Sequence, residues 1–194
     1  MCNAPLRRSL RFGLAAMAAA FRLPDAGLAS HAANRKYLCQ RPFVVTAEAT
    51  CTPAEQPALS KDDFVPSDHA SAGWAWALVP VQAAAQRMDA LLQRGHAFGF
   101  SRGVCGAHWQ SDVEAGCVAS AATVARLQSD ETFRAQVALA RDEITQAQTR
   151  VLRPAAVCGA EAAALRPCLV NRGPPAAQAH ARHSAQSPCR PSSR

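Results

Sequence analysis

Apolar residues recur at helical spacing through the middle of the chain. Val113, Cys117, Ala121, Val124 and Leu127 mark one stripe of an amphipathic helix beginning near Trp109. Ser129 with the following DETF reads as the N-cap of another, carried by Phe133, Val137, Ala140 and Ile144. Upstream, the run from Ser71 to Gly103 is compatible with helix throughout except at Pro80, which is expected to kink or divide it. Within that run Trp74, Leu78 and Val81 fall at helical spacing. The segment after Leu23 reads as a helix passing into an extended Arg-Pro step, so Arg41 is expected to end an element. Thr46 to Pro66, rich in Thr, Pro, Ser and Asp, reads as a loop with a short helical turn around PAEQPALSK. Beyond Arg153 the periodicity stops and Pro, Ala, Arg, Ser and Gln take over. No internal repeat is present. The pattern predicts an all-α helical bundle over residues 24–150, followed by a basic, disordered tail over 151–194.

Composition supports that picture. The chain has 194 residues, enough for one domain, and its 49% hydrophobic content comes with only 6% aromatics, which favours helices packed through small residues. The net charge of +7 is concentrated at the end of the chain, where Arg150, Arg153, Arg166, Arg172, Arg182, Arg190 and Arg194 face the single acid Glu161. No aromatic residues or regular period accompany those arginines, so a solvated tail is favoured over a nucleic-acid surface. The eight cysteines include no CxxC pair, which argues against a zinc ribbon and for an oxidising compartment, with the pairing left open. At the N-terminus, Arg7, Arg8 and Arg11 precede FGLAAMAAAF. Residues 1–23 therefore read either as a secretory signal or as a helix of the domain itself. No run of about 20 apolar residues is present to span a membrane.

The most informative chemistry lies in SRGVCGAHWQSDVEAG. Ser101 and Arg102 precede His108 by seven and six residues, and Asp112 follows it by four. A helix starting near His108 would put His and Asp on one face, so that the carboxylate holds one ring nitrogen and leaves the other to attack. Arg102 can fork onto phosphate oxygens and Ser101 can donate to them. An isolated HxxxD is more commonly a buried histidine paired with its helix neighbour. Two further segments change that weighting: QRPF supplies Arg41, and VPSDHASAGWAW supplies Ser67 and His69 in a short loop leading into a helix.

In this order the three segments resemble the signature shared by class A bacterial nonspecific acid phosphatases, type 2 phosphatidate phosphatases and vanadium haloperoxidases. That signature runs Lys, six residues, Arg-Pro, then Pro-Ser-Gly-His, then Ser-Arg, five residues, His, three residues, Asp. GWAWAL, ALLQRGHAFG, VCGAHWQSDVEAG and ATVARL resemble the class A phosphatases in particular, over roughly Leu23 to Gln148. The resemblance implies an all-helical fold, a periplasmic or secreted location, small-molecule phosphomonoesters as substrates and no metal or other cofactor. It also implies His108 as a nucleophile forming a phosphohistidine, Asp112 orienting it, and His69 protonating the leaving oxygen. Arg41, Arg102, Ser67 and Ser101 would bind the phosphate. These roles suit a phosphoryl transition state, which needs spread positive charge, an in-line nucleophile and a proton for the leaving group.

Two departures from the signature point to an alternative, an impaired or truncated member of the family that at most binds phosphate. Asn34 stands where the pattern has lysine, although Arg35 and Lys36 are adjacent. Asp68 replaces the glycine of Pro-Ser-Gly-His, adding a negative charge where the backbone approaches phosphate. The helical region that normally precedes Pro24 in the family is also expected to be missing.

Overall fold

The computed structural model describes residues 37–61, 65–149 and 189–191, with the single positions 159 and 163. The N-terminal segment 1–23, the predicted helix before Tyr37 and most of the tail lie outside them. Strand β1 (Tyr37–Cys39) leads into helix α1 (Pro42–Thr46). A 3-10 turn (Pro53–Glu55) and helix α2 (Gln56–Leu59) follow, in the expected place. Four longer helices follow among the described residues: α3 (Asp68–Ala83), α4 (Met88–Val104), α5 (Gln110–Leu127) and α6 (Glu131–Thr149). Strand β2 (Cys189–Pro191) pairs antiparallel with β1. The fold is therefore helical as predicted, apart from this three-residue ladder.

Helix α3 is the centre of the bundle, with α4, α5 and α6 all packed against it. Its buried residues are almost all small: Ala70, Ser71, Ala72, Gly73, Ala75 and Ala77, with Val79 and Ala83. A helix covered on several sides cannot present one large apolar stripe. Trp74, Leu78 and Val81, the predicted stripe, are accordingly only half-buried. Small residues let backbones approach closely: a Cβ on Gly95 of α4 would stand 2.7 Å from the Gly73 carbonyl oxygen. The main apolar cluster joins Ala72, Ala75, Val79 and Ala83 of α3 to Val124 of α5 and to Phe133, Val137 and Ala140 of α6. Leu78, Leu127 and Ile144 pack against it.

Several local expectations change. Pro80 sits inside α3 and does not divide it, and the break comes after Ala83 at a 3-10 turn over Ala85–Arg87. Burial of Val79 and Ala83 on either side of the proline outweighs its cost of about 3 kcal/mol to the helix. On α5, Ala121 is exposed, and Gly116 and Ser120 complete the buried line through Val113 and Val124. Helix α6 is capped by Asp130 rather than Ser129, since its Oδ1 accepts from the Phe133 N–H at 2.7 Å. Arg41 does not end an element. It is the extended residue (φ −63°, ψ 153°) immediately before α1.

Candidate active site

Arg41 is 6% exposed and its guanidinium is held at three points. Nε donates to the Leu59 carbonyl at 2.9 Å, and Nη1 donates to the Ala107 carbonyl at 3.0 Å and approaches His108 Nε2 at 3.2 Å. The proline after Arg41 starts α1, so the arginine is fixed in extended backbone between β1 and that helix. The Trp109 indole reaches back to the Gln40 carbonyl at 2.8 Å. The Arg-Pro segment is thereby tied to the segment that carries His108.

His108 is 3% exposed and lies just before α5, not in its first turn as a shared helical face would require. Its N–H still donates to the Arg102 carbonyl at 3.2 Å, which locks the loop between α4 and α5. A guanidinium can only donate, so the 3.2 Å contact makes Nε2 the acceptor and puts the ring proton on Nδ1. Nδ1 faces Asp112 Oδ2 at 3.8 Å, an electrostatic contact longer than a hydrogen bond. Asp112, fully buried, also caps α5: its Oδ2 accepts from the Trp109 N–H at 2.9 Å. Sequence order put Asp112 beside His108; the cap puts it there in the fold. Burial, first, and then the charges of Arg41 and Arg102 hold the His108 imidazolium well below the usual histidine range. His69 adds to this and Asp68 opposes it.

Ser67 is completely buried as the N-cap of α3, its hydroxyl accepting from the Ala70 N–H at 3.3 Å. Its own N–H donates to the Asp112 carbonyl at 3.0 Å, which fixes the start of α3 against α5. His69 is already in the first turn of α3 rather than in a loop, and it is exposed. Its pKa is lowered by burial of part of the ring and by Arg102, raised by Asp68, and lowered again by Arg41. Both histidines thus lie in the field of the same two guanidiniums and the same carboxylate.

Arg102 is in the last turn of α4, and its Nε is buried without a hydrogen-bond partner among the described residues. A buried cationic donor left in this way is costly unless an acceptor arrives, and a phosphate oxygen is one. Ser101 differs from the other candidates. It is exposed, and its hydroxyl donates to the Phe98 carbonyl of its own helix at 2.7 Å. Asn34, the position of the missing lysine, lies outside the described residues. Among the described residues no cluster of three or more His, Cys, Asp or Glu is arranged to hold a metal.

Sequence reasoning missed the parts that hold the candidates in place. The Leu59 and Ala107 carbonyls that orient Arg41 are backbone groups and carry no side-chain signal. Trp109 was visible as a tryptophan beside His108, but its partner Gln40 is 69 residues away in sequence.

The chain matches the PAP2 superfamily over residues 12–132. It is 42% identical over 125 residues to a non-specific acid phosphatase of Providencia stuartii, covering 64% of this chain and 50% of that one. Identity to an acid phosphatase of Zymomonas mobilis is 41% over 130 residues, 67% of this chain and 48% of the other. A non-specific acid phosphatase of Salmonella typhi is 42% identical over 116 residues, covering 60% of this chain and 46% of its own. The chain therefore spans about half the length of the curated relatives it matches. The superfamily match takes in more than half of the chain, and on that ground the chain belongs to the PAP2 superfamily.

Proposed function

We propose that this chain hydrolyses phosphomonoesters through a covalent phosphohistidine at His108. The observation that carries the reading is the contact between Arg41 Nη1 and His108 Nε2, which sets an unprotonated ring nitrogen beside a buried guanidinium. A phosphate drawn to Arg41 and Arg102 would meet Nε2 at short range. Nε2 attacks phosphorus, the phosphorus–oxygen bond to the alcohol breaks, and the leaving oxygen takes a proton from His69. Asp112 faces the Nδ1 proton and stabilises the positive ring that forms. Water then attacks the phosphohistidine, with His69 accepting a proton, and phosphate leaves. Ser67, the cap of α3, and Ser101, whose hydroxyl would have to turn from the Phe98 carbonyl, complete the proposed phosphate-binding set.

The relatives named as acid phosphatases support this substrate class. The disulfide between Cys51 and Cys105 supports a periplasmic or secreted location, where such bonds persist. No helix among the described residues is long and apolar enough to cross a membrane. One observation favours a second reading, a noncatalytic phosphate binder. Asp68 opens α3 beside His69, and its negative charge acts on both histidines. The discriminating experiment is phosphate release from an aryl phosphate at about pH 5 to 6 in the presence of a chelator, comparing wild type with His108→Ala. The phosphatase reading expects turnover that His108→Ala abolishes, together with an acid-labile phosphoenzyme trapped only on wild type. Phosphate binding by folded protein without turnover at any pH would establish the second reading.

A further inference from the structure

We propose that the Cys51–Cys105 disulfide is a positioning device for the phosphate site, holding Arg41 and His108 in register; the proposal rests on the reading of His108 as nucleophile. The bond joins two positions 54 residues apart, with Cα atoms 5.0 Å apart. Beside it the Cys51 N–H donates to the Cys105 carbonyl at 3.3 Å. Cys105 immediately follows α4, and two residues separate it from His108. Within that span Gly106 turns at φ 70° and Ala107 presents the carbonyl that accepts from Arg41. On the other side, nine residues, α1 among them, lie between Arg41 and Cys51. Arg41, α1, Cys51, Cys105, Ala107 and His108 thus form a closed circuit, completed by the Arg41 hydrogen bond to Ala107.

Packing alone does not hold this circuit. A cavity of about 210 Å³ lies between its two arms, lined by Phe43, Thr46, Thr50, Val104 and Gly106 among others. Residues 44–49 are exposed, so they contribute no core contacts. With space on one side and solvent on the other, the covalent link and the backbone hydrogen bond beside it restrain the Cys51 end of the two arms, while the Arg41 bond to Ala107 and the Trp109 bond to Gln40 hold the other end. Cys51 is exposed, so a dithiol reductant can reach the bond. Reduction delivers two electrons and two protons, breaking the sulfur–sulfur bond to give two thiols and oxidising the reductant to its own disulfide.

The test is the double variant Cys51→Ser with Cys105→Ser, which leaves the other cysteines untouched. Inhibition by inorganic phosphate, KM and kcat for an aryl phosphate, and amide hydrogen exchange are measured beside oxidised wild type. The phosphate inhibition constant and KM are expected to rise by about tenfold, as a site loosened by a fraction of an ångström requires. Exchange is expected to quicken over residues 47–52 and 104–108, while α3 to α6 keep their protection. Phosphate affinity and KM equal to those of wild type would overturn the proposal. Exchange that quickens throughout α3 to α6 would overturn it too, because the bond would then be a general staple of the fold. If oxidised wild type neither binds phosphate nor turns over, the phosphatase reading fails, and this proposal falls with it.

Discussion

In the proposed mechanism two histidines with opposite tasks share one electrostatic environment. His108 must be neutral to attack, and burial with the Arg41 and Arg102 charges keeps it so down to acidic pH. His69 must carry a proton, yet burial and the same guanidiniums lower its pKa, so it gives that proton up sooner than a free histidine. An arriving phosphate neutralises those positive charges and raises both values, which arms His69 only once substrate is bound. Turnover should therefore fall on the acid side as His108 is protonated and on the alkaline side as His69 is deprotonated, giving a mildly acidic optimum. A rate that climbs steadily to pH 9 would contradict these assignments. Asp68 raises both pKa values. Asp68→Gly should accordingly move both limbs of the profile to lower pH. At the optimum it should also raise kcat/KM by on the order of tenfold, by removing a like charge from near a phosphate dianion, a gain that the shifted alkaline limb offsets in part at neutral pH. Equal profiles for the two proteins would show that the carboxylate does not act on the site. Stability has its own pH dependence. Below about pH 6.5 the unfolded chain protonates these histidines before the folded one does, so unfolding takes up protons and stability is lost as pH falls. Denaturant midpoints measured from pH 7 down to pH 5 check this, with a shallower slope expected for His108→Gln.

At the scale of elements, close backbone approach decides where the proposed catalytic groups stand. A Cβ on Gly116 of α5 would lie 2.6 Å from the Ser67 carbonyl oxygen and 3.1 Å from the Ser71 nitrogen. Those atoms belong to backbone and cannot swing aside. Across the same contact the Ser71 hydroxyl donates to the Gly116 carbonyl at 3.0 Å and the Ser67 N–H donates to the Asp112 carbonyl at 3.0 Å. Gly116→Ala should push the first turn of α3, with Ser67 and His69, away from α5. The expected cost is about 1–3 kcal/mol of stability, measured by chemical denaturation, and at least a tenfold drop in kcat/KM. A variant as stable and active as wild type would mean that the two helices can separate freely. This contact was not legible in the sequence, where Gly116 stood among apolar residues and the period pointed to Ala121. Phe133, Val137, Ala140 and Ile144 were legible because α6 packs through a single face. Helix α3 was not, because burial on several sides erases the period.

For the whole molecule, the candidate set Arg41, Ser67, His69, Arg102, His108 and Asp112 was readable because its three segments, each weak alone, resemble in that order the phosphatase signature. The supports were not, since carbonyls, a disulfide across 54 residues and a strand pairing between the ends of the domain leave no local pattern. The tail shows this most clearly. Its composition suggests that everything beyond Gln148 is dispensable, yet Cys189–Pro191 pairs with Tyr37–Cys39 in register, Cys39 opposite Cys189. Strand β1 ends two residues before Arg41, and between them Gln40 accepts the Trp109 indole. Upstream of Arg41, beside the disulfide that Cys39 makes, stand the ladder and the indole bond, and these two can be removed separately. Truncation after residue 188 takes away the ladder while leaving the indole bond, so KM should rise by only about two- to fivefold with kcat nearly unchanged, the effect of loosening one short pairing. Trp109→Phe keeps most of the buried ring and removes the bond to Gln40, which is closer to Arg41, so its effect on KM should be larger, about tenfold. Combining the two should exceed the product of the single effects, because each restraint partly covers the loss of the other. Truncated protein with the KM of wild type, in the Trp109→Phe background as well as alone, would show that the ladder does nothing for the site and that the tail is as dispensable as its composition suggests.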